Sequence, residues 1–425
     1  MIKLPDYRKK NVKRVTRRSK SRVKDIEMKK KHSEKNETPE GEGSRLRVVK
    51  GNKKKRQAVT RAVLISVSVV AAVIILSSVL LPTGIGDFIT GVKYSLSSGE
   101  FPVSLVGGDS LLSDKQGSLI YTLTDTNLEV YSLGGKRALS SAHGFSAPVM
   151  KTSPTRAVVY EQGGKGLKLY GADKLILSKN YDDNIISAGL SRSGAYAVAT
   201  TSKDFASKVT VYSKKSKMLF EWSSSVEIVS DVSLSPTGNK LAVSGFSSQN
   251  GQYLSKVYIF GFDSATPLHT TKYKGKLIYS INARSNSGIF AVYNGGMDFI
   301  SWGKFKESKF TTDYEVRMQR ATNSVCALAS SRSNDKKDTK ITAFSSGGKQ
   351  LFEINWKQSI TDFAVMGDKI LILSDTSVYL LDKNGNVLKK GDAGFGGVSV
   401  QAVSTEKAVV VTDNSLISVA LTAIK

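Results

Sequence analysis

The chain has 425 residues, a formal net charge of +26, 40% hydrophobic residues, 36 Gly, 8 Pro and one Cys, enough for two or three ordinary domains or one large all-β domain. This composition excludes collagen, a coiled coil and a disulfide-stapled miniprotein. Cys326 alone forms no intramolecular disulfide, and three histidines, His32, His143 and His269, leave little for acid–base or metal chemistry.

The positive charge is uneven: residues 1–61 hold 23 Lys/Arg against 7 Asp/Glu, and the remainder 39 against 29. Residues 1–61 run through Arg8-Lys9-Lys10, Lys29-Lys30-Lys31 and Lys53-Lys54-Lys55-Arg56 with scarcely any apolar periodicity. Such a segment cannot bury enough surface to offset its ordering entropy, and a disordered basic tail is expected. Residues 62–81, AVLISVSVVAAVIILSSVLL, carry no charge and as a helix reach about 30 Å, the thickness of a hydrocarbon core. A transmembrane helix is expected there. Lys53, Lys54, Lys55, Arg56 and Arg61 flank its N-terminal side, which by the positive-inside rule keeps the tail cytoplasmic and the rest of the chain extracytoplasmic. A cleaved signal peptide fits less well, because the charged region is too long, the apolar core exceeds the usual length and no Ala-x-Ala-like site follows. Membrane lipids are thus expected partners of helix and tail, at about 1 kcal/mol per juxtamembrane basic residue. Nucleic acid is not, since Tyr7 is the one aromatic residue before Arg61.

After a linker over 82–100 come short β-rich runs separated by Gly, Ser, Asn and Asp, with no convincing helix to the end. A hairpin recurs: an aromatic or β-branched run, a polar turn, a second apolar run. Val130 to Leu139, Leu169 to Leu177, Val211 to Trp222, Ile259 to Thr271, Ile300 to Phe310, Ala343 to Phe352 and Leu380 to Leu388 are its seven copies. Two further strands precede each, clearest over Asp231 to Val243 and Ser187 to Val198. Four-stranded units starting near 109, 147, 185, 229, 277, 315, 360 and 398 have the blade period of a β-propeller. The expected fold is therefore all-β, an eight-bladed propeller over 101–425, with seven blades as the alternative. The last unit supplies three strands, and residues 101–105 are expected to close it as the missing outer strand, where Pro102 is tolerated.

From Leu111 onward these repeats, with Gly-Lys-x-Leu-Phe at Gly348 to Phe352 and Ser-Pro-Thr-Gly at Ser235 to Gly238, resemble quinoprotein-like and WD40-like propellers. The Gly-His and Trp-Asp signatures of WD40 blades are absent. The layout of basic tail, one membrane helix and propeller resembles an uncharacterised family of membrane-anchored propellers from Gram-positive Firmicutes. That resemblance carries no catalytic residues. A quinoprotein likeness would imply pyrroloquinoline quinone and calcium, for which no ligand constellation is evident, so no cofactor is expected. The outer-membrane assembly scaffold propeller is the nearer functional analogy.

The motifs weigh the same way. Gly108-Asp109-Ser110-Leu111 spells the lipase-esterase GDSL string, but neither His143 nor His269 follows an Asp at the spacing needed to supply a base, so Ser110 reads as the turn into the first blade. Leu81-Pro82-Thr83-Gly84 lacks one residue of a sortase signal and reads as a helix stop. Asp382 to Asn386 alternates like a calcium loop, yet the twelfth position is Ala393, so a hairpin turn is expected. Cys326 reads as a small buried hydrophobe. Loops joining second to third strands, and outer strand to next inner strand, share one propeller face. Three of the former are long: 203–208, 247–256 and 330–340. Phe205, Tyr253 and Arg332 on these, with Phe145, Tyr181, Tyr314 and Phe395 on neighbouring connections, form a candidate partner-binding face, because aromatic and Arg groups anchor interfaces. The expectation is a non-enzymatic, membrane-anchored scaffold binding a protein or envelope polymer outside the cell membrane. The alternatives are an extracytoplasmic hydrolase or quinone-dependent enzyme using Asp182, Asp183 or Asp335, or a sensor signalling through the tail.

Overall fold

Each β-rich run pairs with the next through a turn of a few residues, so the sheets form locally. In the computed structural model, which describes residues 92–94, 97–332 and 335–424, these runs make eight antiparallel meanders, the blades of one propeller. Their innermost strands are Ser110–Gln116, Pro148–Ser153, Ile185–Leu190, Ile228–Leu234, Ile278–Asn282, Glu315–Ala321, Asp362–Met366 and Gly397–Ala402. The expected eight blades are present and the seven-bladed alternative is excluded.

Burial explains the pattern of each strand. Second strands such as Leu119–Thr124, Tyr196–Thr200 and Gly288–Tyr293 are buried along their whole length. Neighbouring blades cover both their faces, which demands a continuous apolar run. Outer strands such as Gln350–Trp356 alternate between buried and exposed residues, one face being wet. Eight clusters of buried side chains fill the eight junctions between consecutive blades. One example joins Val209 and Phe220 of blade 3 to Val243 and Phe260 of blade 4. The last joins Val409, Val411 and Leu416 of blade 8 to Ile120 and Tyr131 of blade 1. Each fully buried side chain of this kind is worth about 1.5–3 kcal/mol.

The ring closes through Val103–Ser104, the outer strand of blade 8, which pairs Val103 with Leu416 and Ser104 with Ser415. Leu105 N–H donates to the Asn414 carbonyl at 2.8 Å. The chain does not end with the third strand of that blade. Thr422–Ala423 crosses to blade 7 and pairs with Lys389 and Lys390, covering an edge that would otherwise be open. Gly391 permits the crossing, since a Cβ there would lie 2.5 Å from the Ala420 carbonyl oxygen.

Two of the three long loops are ladders instead. In blade 4, Leu241–Gln249 and Gln252–Phe260 pair as far as Gln249 with Gln252. Asn250 and Gly251 form the turn with φ of 51° and 74°, the conformation for which Asn-Gly is the preferred hairpin pair. In blade 6, Val325–Arg332 pairs with Asp335–Ser345. Residues 203–206 of blade 3 remain a loop, with Ser202 Oγ accepting from the N–H groups of Asp204 and Phe205 at 3.3 Å each. Part of the segment read as a linker packs on blade 1: Tyr94 is buried beside Leu119 and Tyr121, and Gly99 N–H donates to the Gly134 carbonyl at 3.0 Å. The tail, the basic cluster from Lys53 to Arg61 and the apolar segment 62–81 lie outside the described residues. Among the described residues no helix is long and apolar enough to cross a membrane.

Candidate functional site

Backbone hydrogen bonds tie second-to-third-strand connections to outer-to-inner-strand connections, placing both on one face. His143 N–H donates to the Thr126 carbonyl at 2.9 Å, Thr201 to Asn184 at 2.9 Å, Gly275 to Tyr253 at 2.7 Å and Ala393 to Thr376 at 2.8 Å. The seven side chains singled out above all belong to this face, in two groups. Phe205, Tyr253, Arg332 and Phe395 stand in solvent, Phe395 being 91% exposed. Tyr253 rides the blade 4 ribbon, its ring edge-on to Phe246 at 6.3 Å. Arg332 lies over the Tyr314 ring at 5.3 Å.

The other three are half-buried and held by neighbours. Phe145 stacks on His143 at 5.8 Å with Lys168 Nζ 5.7 Å from its ring. Tyr181 has Lys179 Nζ 4.5 Å from its ring, and burial pushes its phenol far above the ordinary value. Tyr314 donates from its hydroxyl to Asp338 at 3.2 Å, with Lys340 Nζ 5.0 Å from the ring. These rings and cations bind one another; Arg332 joins them over Tyr314 while staying exposed, and Phe205, Tyr253 and Phe395 stand exposed beside them.

The other candidate groups have structural work. Nε2 of buried His143 bonds the Thr124 carbonyl at 3.0 Å while Nδ1 accepts from Phe145 N–H at 3.0 Å. His269 stacks on Phe305 at 5.0 Å on the outer strand of blade 4. Cys326 is fully buried, its thiol pushed up to about 12 by burial. Asp382 accepts from Asn384 and Asn386 of its own turn at 2.8 and 2.9 Å, so that turn spends the carboxylate on itself. Ser110 opens the first innermost strand. Asp182 is exposed between blades 2 and 3, and the side chain of Asp335 lies outside the described residues. Among the described residues no group of three or more His, Cys, Asp and Glu could hold a metal ion.

A second site, absent from the reading of the sequence, occupies the channel along the ring axis. The eight innermost strands enclose a cavity of about 350 Å³ that opens on the face opposite the ribbons, beside Arg192, Pro236 and Asn323 of the first-to-second-strand turns. Arg284 crosses the channel from blade 5 to pair with Asp114 of blade 1, and also donates to the Ala321 carbonyl at 3.0 Å and Thr152 Oγ1 at 3.3 Å. Burial on its own would raise the Asp114 carboxyl. The charge and hydrogen bond of Arg284, with Thr152 and Gln116, outweigh it and hold the group below the usual carboxylate range.

Two buried aspartates behind the wall staple neighbouring blades. Asp231 accepts from Ser187 Oγ of blade 3 at 2.7 Å and from Ile281 N–H of blade 5 at 2.9 Å, and faces Lys151 at 3.6 Å. The Asp231 charge raises the Lys151 ammonium above its ordinary value against the cost of burial. Asp362 repeats the device, accepting from Ser399 Oγ and Val400 N–H of blade 8 at 2.8 and 3.0 Å and pairing with Arg320. The available signal was charge within the innermost strands, where Asp114-Lys115, Lys151, Asp231, Arg320 and Asp362 fall.

No curated protein matches the sequence. Among solved structures the chain is similar to the C-terminal WD40 domain of Sif2, at 11% identity over 77% of this chain and all of that one, with a TM-score of 0.50. It is similar to BamB from Moraxella catarrhalis at 11% identity, over 76% of this chain and 96% of that one, TM-score 0.49. The Pan2 WD40 domain of Neurospora crassa gives 8% identity, 75% and 91% coverage and a TM-score of 0.43. At such identities the likeness concerns the fold alone, and the Sif2 comparison carries it. The family of unknown function DUF5711 matches residues 113–421, which run from the first innermost strand to the end of blade 8, and the chain belongs to that family.

Proposed function

We propose that this is a single-pass membrane protein whose propeller lies outside the membrane and serves, without catalysis, as a rigid platform for an envelope protein or polymer. The observation that carries this reading is the placement of Phe205, Tyr253, Arg332 and Phe395 in solvent on one face of a closed ring, Tyr253 being raised on a ribbon. Exposed aromatic and Arg side chains are the usual hot-spot residues of interfaces. A closed ring holds them in place, so little ordering entropy opposes binding. The apolar segment 62–81 and its basic N-terminal flank supply the anchor and its orientation.

The test is photo-crosslinking in living cells, with the reactive residue at Phe205, Tyr253 or Arg332 and controls at Thr237 and Ser193 in turns of the opposite face. A discrete protein adduct from the first set alone is expected for a protein partner, and glycan adducts from the same positions for a polymer. Equal adducts from both sets, or turnover of an envelope substrate by the purified chain, would sink the reading.

A further inference from the structure

The channel mouth carries more positive charge than its own carboxylates balance. Five cations line it: Lys115, Lys151, Arg192, Arg284 and Arg320. Three have partners: Lys151 faces Asp231, Arg284 pairs with Asp114, and Arg320 pairs with Asp362. Lys115 and Arg192 stand in no ion pair among the described residues. Arg192 Nη2 is also buried without a hydrogen-bond partner. A buried donor without an acceptor costs about 1–3 kcal/mol, and more when charged. The orphaned Arg192 donor is therefore a standing cost that an anion would remove, and Lys115, half-buried at the same cavity and in no ion pair, adds a second charge for it to meet.

We infer that the channel mouth binds a compact dianion, a phosphomonoester or a dicarboxylate, through Lys115 and Arg192. The cavity volume of about 350 Å³ suits a small metabolite and not a folded partner. The two unmatched positive charges correspond to the charge of either class. Arg192 offers the planar fork that both phosphate and carboxylate accept in bidentate fashion, and Lys115 a point charge. Burial draws both groups below their ordinary pKa values, Lys115 despite the opposing charge of Asp114; a bound anion would restore them. The site lies on the face opposite Tyr253 and Phe395, so a ligand there leaves the ribbon face uncovered.

The test is calorimetric titration of the full chain in lipid nanodiscs with phenyl phosphate and, separately, succinate, at about 0.15 M salt, where exposed charges of the tail are screened. Saturable one-to-one binding of at least one probe is expected, and the probe that binds identifies the class. Arg192→Gln and Lys115→Gln should each weaken it at least about tenfold, while Lys174→Gln, an exposed lysine elsewhere on the ring, should not. Asn323→Asp, which keeps both cations and adds a negative charge at the mouth, should weaken it as well and guards against a misfolded glutamine variant. Failure of both probes to saturate, or binding unchanged in Arg192→Gln, Lys115→Gln and Asn323→Asp, would overturn the inference.

Discussion

Arg284 and Asp114 are 170 residues apart in the chain and come from opposite sides of the ring. Replacing Arg284 by Met would leave the Asp114 carboxylate in a half-buried site without its cation, at a cost of about 1–3 kcal/mol. The double variant with Asp114→Asn should recover part of that loss, which a double-mutant cycle in denaturant reads directly. Because the folded-state pKa of Asp114 is lowered, its contribution is fully present above the unfolded-state value near 4 and disappears as pH falls through the folded value. Melting curves of Asp114→Asn should accordingly show a shallower loss of stability than the parent below about pH 4. Gly189 sets another single-atom limit. A Cβ there would meet the Val232 carbonyl oxygen at 2.7 Å, so Gly189→Ala must separate the innermost strands of blades 3 and 4, an overpacking worth about 1–3 kcal/mol. The turn glycine Gly238, with φ of 73°, was legible in Ser-Pro-Thr-Gly because a left-handed position in a tight turn favours that residue. Gly189 was not legible, because its requirement comes from a strand of the next blade.

Among elements, the strand of two residues at Val103–Ser104 matters more than its length indicates. Deleting residues 101–105 would expose the Leu416 ladder edge and open the junction between blades 8 and 1. The truncated protein should aggregate on size-exclusion chromatography and melt at a lower temperature. Removing residues 422–425 takes away two ladder pairs at an already paired blade and should leave the same elution volume with a small loss of melting temperature. If both truncations behaved alike, ring closure would not be what protects the strand edge of blade 8. The strand starts were readable because each unit buries an apolar second strand and turns on Gly or Asn within a few residues. The ribbon of blade 4 was half-readable: its Asn250-Gly251 turn is a hairpin signal, but the polar run Ser247 to Gln252 has no apolar alternation to mark it as ladder.

Seen whole, the ring presents two faces with different chemistry: exposed aromatic and Arg side chains beside the ribbons, and an excess of cations at the opposite channel mouth. The proposed membrane topology is checked with introduced cysteines, because the chain's own gives no background. Cys326 is buried with a raised pKa, so it stays silent toward maleimides, which need an accessible thiolate. In intact cells a membrane-impermeant maleimide should label Phe395→Cys and spare Lys54→Cys, and lysis should make both reactive. Labelling of Lys54→Cys alone in intact cells would reverse the proposed orientation.

Read by itself, the sequence determined the blade period and pointed to eight blades with seven still open, because both follow from local hairpins, apolar runs and turn residues within about forty positions of one another; the closed ring decided for eight. It also indicated which loops share a face, since that follows from the meander alone. Only the tertiary structure decided which side chains meet across the axis and between blades. Asp114 with Arg284, Asp231 with Ile281 and Asp362 with Val400 are pairings set by ring geometry. A repeat tells where a strand begins and carries no information about the strand that faces it from the far side.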